Sequence, residues 1–263
     1  MKRTGLSIIA ALALLLGACG HGNSPKPVRP AIDPELQKMT KEGLYDAGEQ
    51  WFGRKKYVKA RTYYTFAYES YPNDPIGRRA LLRIADTYYA MGDPVNLVEA
   101  QYKYRDFINR YPGSDRADYA MLQIAMISYK QMERPDRDQA KTKEAVEKFN
   151  DMIKAYPNSA LRGEADKHLQ DALDRLAKHE EIIARFYMKR GDYNAAIQRL
   201  NFLVDNYPNY NERDAVFYDL GTALAGMGRK AEARLYYERV ISEFPKSEYA
   251  DKAKKKLDEM KAA

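Results

Sequence analysis

The sequence predicts an all-α fold, a right-handed solenoid of about five helix pairs closed by a C-terminal capping helix. Three observations predict it. First, an Ala stands twelve residues before the Pro of an aromatic–Pro pair five times over: Ala60 with Tyr71-Pro72, Ala100 with Tyr111-Pro112, Ala145 with Tyr156-Pro157, Ala196 with Tyr207-Pro208, and Ala233 with Phe244-Pro245. Second, four residues after each Ala comes a bulky apolar side chain (Tyr64, Tyr104, Phe149, Leu200, Tyr237), and three further on another apolar one (Ala67, Phe107, Met152, Leu203, Val240). That spacing is one face of a helix, and Pro ends the helix because it lacks the N–H that the next turn needs. Third, a large residue, an apolar–small pair and a further large residue run ahead of these helices: Leu44, Ala47-Gly48 and Trp51; Leu81, Ile84-Ala85 and Tyr88; Ile183-Ala184 and Tyr187; Phe217, Leu220-Gly221 and Leu224. Small residues let two helices close up, and the aromatics fill the space between units. Helix pairs repeated in phase stack into a solenoid, and solenoids present extended binding surfaces.

The elements follow in order. Lys2 and Arg3 precede an apolar run over 6–16 that ends in Leu16-Gly17-Ala18-Cys19, so residues 1–18 read as a secretory signal peptide whose apolar core is too short to span a membrane. The segment resembles a bacterial lipobox, which implies lipidation of Cys19, the only Cys in the chain, and no other cofactor. Gly20 stands where Asp would resemble the inner-membrane retention signal, which favours the outer membrane. Residues 19–34, with Pro25, Pro27, Pro30 and Pro34, form an extended tether reaching on the order of 40 Å. Residues 35–157 hold units 1–3 and residues 158–263 hold units 4–5 with the cap.

The Pro-to-Pro spacings of 40, 45, 51 and 37 exceed the roughly 34-residue consensus of such repeats, and the excess can be located. Unit 2 has extra residues after Met91-Gly92-Asp93, and unit 3 inserts a polar loop over 132–139. Unit 4 gains its length over 161–190, where Leu161, Ala165, Leu169, Leu173, Leu176, Ile183 and Tyr187 keep helical phase. One helix of about eight turns therefore bridges the two blocks. A last helix over 249–260 carries Lys252 and Lys254-Lys255-Lys256 on its polar side as a solubilising cap.

Composition narrows the function. Removing Lys2 and Arg3 with the signal lowers the formal charge from +7 to +5, a modest bias that suits acidic proteins or anionic headgroups, and no nucleic-acid motif accompanies it. Of the three His, His21 lies in the tether, while His168 and His179 stand eleven residues apart on the long helix, too far to share a metal. The chain has no HExxH, GxSxG or phosphate loop, and Asp136-Arg137-Asp138 lies in a polar turn without His or a Gly framework. The chain reads as a non-enzyme.

A groove can be read from the first helices. With Leu81, Ile84, Ala85 and Tyr88 packed inward, the open face of unit 2 presents Arg79, Leu82, Asp86 and Tyr89, with Arg83 beside them. The same phase in unit 3 presents Tyr119, Leu122, Met126 and Tyr129. An apolar, aromatic, Met-bearing strip beside two guanidiniums suits extended peptides with hydrophobic side chains and a terminal carboxylate.

The repeats resemble the tetratricopeptide family over nearly the whole mature chain. With signal and tether added, the chain resembles the repeat lipoproteins of the outer-membrane β-barrel assembly machinery. The likeness is closest in Tyr156-Pro157-Asn158-Ser159, in 174–178, and from Arg185 through Arg199 to Tyr207-Pro208, with the loop Asp136-Arg137-Asp138 also similar. The resemblance implies that units 1–3 receive unfolded barrel precursors by an aromatic-ended C-terminal signal and that units 4–5 dock on periplasmic domains of the barrel-forming subunit. It further implies that Arg199 pairs with a carboxylate there, as a bidentate guanidinium can, and that the lipid anchor faces the periplasm. The Lys-rich cap departs from that family's pattern. A periplasmic adaptor of peptidoglycan synthesis and a glycan-binding envelope lipoprotein are the alternatives; the former is disfavoured because the repeats begin directly after the tether.

Overall fold

The computed structural model describes residues 34–262; the signal peptide, Cys19 and the tether up to residue 33 lie outside them. The described residues are helical, without strands. A short helix, α1 (Pro34–Lys38), belongs to a separate N-terminal unit, so Pro34 opens a helix rather than closing the tether. The remaining helices form five antiparallel pairs and a cap: α2 (Lys41–Gly53) with α3 (Tyr57–Ser70), α4 (Pro75–Met91) with α5 (Pro94–Arg110), α6 (Ala117–Lys130) with α7 (Ala140–Ala155), α8 (Arg162–Lys189) with α9 (Tyr193–Asn206), α10 (Arg213–Gly226) with α11 (Lys230–Glu243), and α12 (Glu248–Ala262). Each helix packs on the next along the chain, and α2 on α4, α6 on α8 and α8 on α10 join successive units, as a helical solenoid of tetratricopeptide type requires.

The turns between units are made alike. In all five, the aromatic before Pro is the C-cap, donating its N–H to the carbonyl four residues back: Tyr71 to Ala67, Tyr111 to Phe107, Tyr156 to Met152, Tyr207 to Leu203 and Phe244 to Val240. The following Pro drives that aromatic out of helical conformation, to φ near −130°, as with Tyr111 at −132°. Its own carbonyl then accepts from the residue three further on, Asp74, Ser114, Ser159, Tyr210 or Ser247, which turns the chain into the next helix. Inside units 2, 4 and 5 the turn is made by Gly92, Gly191 and Gly228 at φ of 76–78°, a conformation that costs a side-chain-bearing residue about 1 kcal/mol.

All fifteen residues of the five Ala/+4/+7 triads are at most 1% exposed, so they form the spine of the core. The extra residues of unit 2 are helical, since α5 starts at Pro94 directly after the turn, capped by the Asp93 carboxylate on the Asn96 N–H. The bridging helix α8 runs 28 residues, about 42 Å at 1.5 Å per residue. The two His on it have structural roles: His168 stacks at 6.0 Å on Phe149 and edge-on to Tyr129, and His179 Nδ1 meets the Pro135 carbonyl at 2.7 Å.

Small residues sit under large ones as the pattern requires. A Cβ on Gly48 would overlap the buried ring of Tyr64, and one on Gly221 would come within 2.7 Å of Tyr237. Gly48→Ala therefore gains about 1 kcal/mol of helix propensity but forces apart a ring that Glu49 also holds by its hydroxyl. The overlap wins. We expect thermal unfolding of Gly48→Ala to show a net loss of about 1–2 kcal/mol, whereas Gly163→Ala, at an open helical site, gains up to about 1 kcal/mol.

The cap differs from a basic surface. Lys252, Lys254, Lys256 and Lys261 each bond an acid one turn away, on Glu248, Asp251, Glu259 and Asp258, and of the run only Lys255 is in no ion pair among the described residues. Its charge is largely internal, and Ala250 and Ala253 seal the core.

Candidate functional site

Units 1–3 share a continuous polar network. Arg83 on α4 donates two hydrogen bonds to Glu49 on α2, at 2.6 and 2.9 Å, and a third to Asp86 at 2.9 Å. Tyr64 on α3 donates to Glu49 at 2.6 Å, while Tyr104 on α5 and Tyr119 on α6 donate to Asp86 at 2.6 and 3.0 Å. Five helices are thereby tied by two carboxylates and one guanidinium. Burial pushes the Glu49 carboxyl up, but the bonds from Arg83 and Tyr64 outweigh it and hold the pKa below the usual range. Burial, with the neighbouring carboxylate, drives the Tyr64, Tyr104 and Tyr119 phenols well above their ordinary values, so all three remain donors. The register recurs with the signs exchanged. Arg185, which follows Ala184, meets Asp219 at 2.8 Å across the unit 4–5 boundary, 34 residues apart as Glu49 and Arg83 are.

Above this network lies a cleft of about 520 Å³ that Arg79, Leu82, Arg83, Asp86 and Tyr119 line together with Tyr45 and Arg116. Its rim is cationic. Arg79 lies 4.8 Å over Tyr45 and Arg116 lies 5.0 Å over Tyr119; neither is in an ion pair among the described residues. Asp115 stands on the same rim, and Arg78 lines the adjoining cleft with Arg79 and Arg116. Guanidiniums on tyrosine faces keep their N–H edges free for an incoming carboxylate.

Several expected groove residues lie elsewhere. Leu122 is 1% exposed in the core with Phe149 and Met152, so it offers no surface to a ligand. Met126 packs against that same cluster, and Tyr129 spends its hydroxyl on Asp171 at 2.8 Å. Tyr89 is half-buried against the unit 2 core with Lys130 at 5.2 Å from its ring. Leu82 and Asp86 are buried too, forming the floor of the cleft rather than its wall. The physical reason is crowding, since a first helix such as α4 has neighbours on three sides in α2, α3 and α5 and exposes only a narrow strip. Tyr45, Glu49 and Arg116 were not read from sequence, although opposite charges 34 residues apart, one repeat, give Glu49 and Arg83 away.

Residues 37–235 match the outer membrane lipoprotein (YfiO) family over most of the chain. The chain belongs to that family. Its relatives include outer membrane protein assembly factor BamD of Caulobacter vibrioides, 27% identical over 88% of this chain and 74% of the relative, and BamD of Rickettsia prowazekii, 27% identical over 95% of both. Among solved structures, the TPR2AB domain of yeast Sti1 in complex with pHSP90 covers 84% of this chain and 86% of its own, at 15% identity and a TM-score of 0.45.

A second surface lies in the C-terminal block of this family member. Arg199 on α9 is exposed and bonds Glu180 at 3.0 Å, with the exposed Phe202 one turn on and its ring 6.3 Å from Tyr207. On α8, Ile182 and Phe186 are exposed one turn apart. The unit 3 loop is fastened by its backbone: Arg175 donates to the Glu133 carbonyl at 3.1 Å, and Gln139 donates to the carbonyls of Arg134 and Arg137. Asp136 pairs with Arg134 at 2.7 Å, Asp138 caps Ala140 at 2.8 Å, and Arg137 is exposed without an ion pair among the described residues.

Proposed function

We propose that this protein is a non-enzymatic scaffold that assembles outer-membrane β-barrel proteins, anchored in the outer membrane by lipid on Cys19 and facing the periplasm. Its relatives are outer membrane protein assembly factors, which supports the assembly role, and the lipobox motif supports the anchor. Units 1–3 receive the C-terminal end of an unfolded precursor. The observation that carries this reading is the cleft whose Arg79 and Arg116, in no ion pair among the described residues, lie over tyrosine rings. A terminal carboxylate is taken by the guanidiniums, and the preceding aromatic side chain lies along Tyr45 and Tyr119.

Units 4–5 dock on periplasmic domains of the barrel-forming subunit. Arg199 exchanges Glu180 for a carboxylate of that partner, while Phe202 and the loop bearing Asp136, Arg137 and Asp138 add apolar and polar contacts. A detergent pull-down through a C-terminal tag tests this. We expect recovery of a large barrel protein with periplasmic domains, lost on Arg199→Gln, which can still donate to Glu180 but cannot hold a carboxylate bidentately, with little change in the melting curve. Recovery of peptidoglycan synthases alone would overturn the reading.

A further inference from the structure

We propose that the turn joining α2 to α3 is a membrane-contact surface that lays the first repeat against anionic phospholipid headgroups. This turn gathers more uncompensated positive charge than the others. Arg54, Lys55, Lys56 and Lys59 are all exposed, and none is in an ion pair among the described residues. At other turns part of the positive charge is compensated, Arg229 by Glu232 and Arg134 by Asp136, and the exposed cations left without an ion pair among the described residues number one or two per turn, Arg137, Lys189 with Arg190, and Lys230, against four here. Lys55 also occupies the left-handed backbone position, at φ 58°, that Gly holds in units 2, 4 and 5, and it is the one described non-Gly residue there. A side chain kept where glycine is favoured points to a use for that side chain.

The surroundings have interfacial chemistry. Trp51, the only Trp in the chain, lies under the Lys59 ammonium at 3.7 Å and beside the Arg54 guanidinium at 5.1 Å. Val58 is 61% exposed and shares a shallow hollow with Lys55, Lys56, Lys59 and Met91. Just past the neighbouring turn, Val95 is 73% exposed. Cations interleaved with Trp and protruding aliphatic side chains are what a headgroup layer accepts, the charges meeting phosphates while the apolar tips enter the acyl boundary.

The occupant follows from charge and chain length. Opposed anions are needed, and this inference rests on the lipobox reading in one respect: fifteen residues from Cys19 to Pro34 make the first repeat the unit nearest the anchor along the chain. Fifteen residues, at a contour limit of about 3.6 Å each, cannot separate Pro34 from an anchored Cys19 by more than about 55 Å.

Trp51 makes the test specific. The full lipidated chain is anchored in vesicles of phosphatidylcholine, with or without a quarter of phosphatidylglycerol, and Trp51 fluorescence is quenched by phosphatidylcholine brominated on its acyl chains. We expect a blue shift and quenching only in the anionic vesicles, reversed by 0.5 M salt. Lys55→Gly with Lys56→Gln should lower the ratio of engaged to free Trp51 roughly 25-fold, at about five-fold per charge. Lys55→Gly relieves the left-handed backbone, so the melting temperature is expected not to fall.

Equal quenching in neutral vesicles, quenching untouched by the two substitutions, or none in either vesicle would overturn the proposal, the last being the outcome for a turn that meets an acidic polypeptide. Flotation with neutral vesicles scores the anchor separately. A chain that fails to float overturns the lipobox reading, and quenching by added phosphatidylglycerol vesicles then decides the surface alone.

Discussion

Glu181→Ala is expected to lower the unfolding free energy by about 3 kcal/mol, the low end for breaking a buried ion pair, read from chemical denaturation. Glu181 has no exposed surface and accepts from Lys178 at 3.2 Å, Arg185 at 2.8 Å and Tyr210 at 2.6 Å. Its loss leaves the buried Tyr210 hydroxyl without that acceptor and Arg185 with Asp219 and a long bond to the Tyr249 hydroxyl. The low end applies because Lys178 and Arg185 are 30% and 38% exposed and can turn toward water. Glu238→Ala is the contrast. It removes an equally short pair, with Arg234 at 2.7 Å, but both partners are exposed and the cost is below about 0.5 kcal/mol. A result in which the two variants lose equal stability would mean that the unit 4–5 network does not hold its helices together.

The second large effect concerns the cleft. Arg79→Glu with Arg116→Glu should weaken binding of a peptide ending in an aromatic residue and a free carboxylate by about ten- to thirty-fold, roughly 1.4–2 kcal/mol. Fluorescence anisotropy of a labelled peptide measures it. Both side chains are exposed and outside the Glu49–Arg83–Asp86 network, so the fold is expected to persist. The amide form of the same peptide should bind the unaltered protein as weakly as the acid binds the variant. It should lose little more on the variant, because the two changes delete one interaction. Equal affinity for acid and amide would remove the carboxylate from the account.

Much of the architecture is legible in the sequence. The Ala/+4/+7 triads and the aromatic–Pro turns are local patterns, and each fixes a helix face or a helix end through a single steric rule. The length of α8 was legible because nothing in 161–190 breaks helical phase. The groove was less so. Helical phase gives the faces of α4 and α6, whereas burial is decided by their neighbours: Leu122 on α6, with α5, α7 and α8 around it, goes to the core, and Leu82 and Asp86 on α4 go to the cleft floor. Trp51 was read as filler between units, yet it stands at a turn between two cations. The basic cap lost its apparent character because acids one turn away answer nearly every lysine.

The central claim is that the cleft of units 1–3 holds the end of an unfolded barrel precursor, and photocrosslinking tests it most directly. A photoreactive phenylalanine analogue at position 119, which lines the cleft with Arg79 and Arg116, is expected to capture the last few residues of a β-barrel precursor in living cells. Deleting the precursor's terminal aromatic residue should abolish the adduct. Adducts with peptidoglycan synthases alone, or a precursor adduct indifferent to that deletion, would contradict the account.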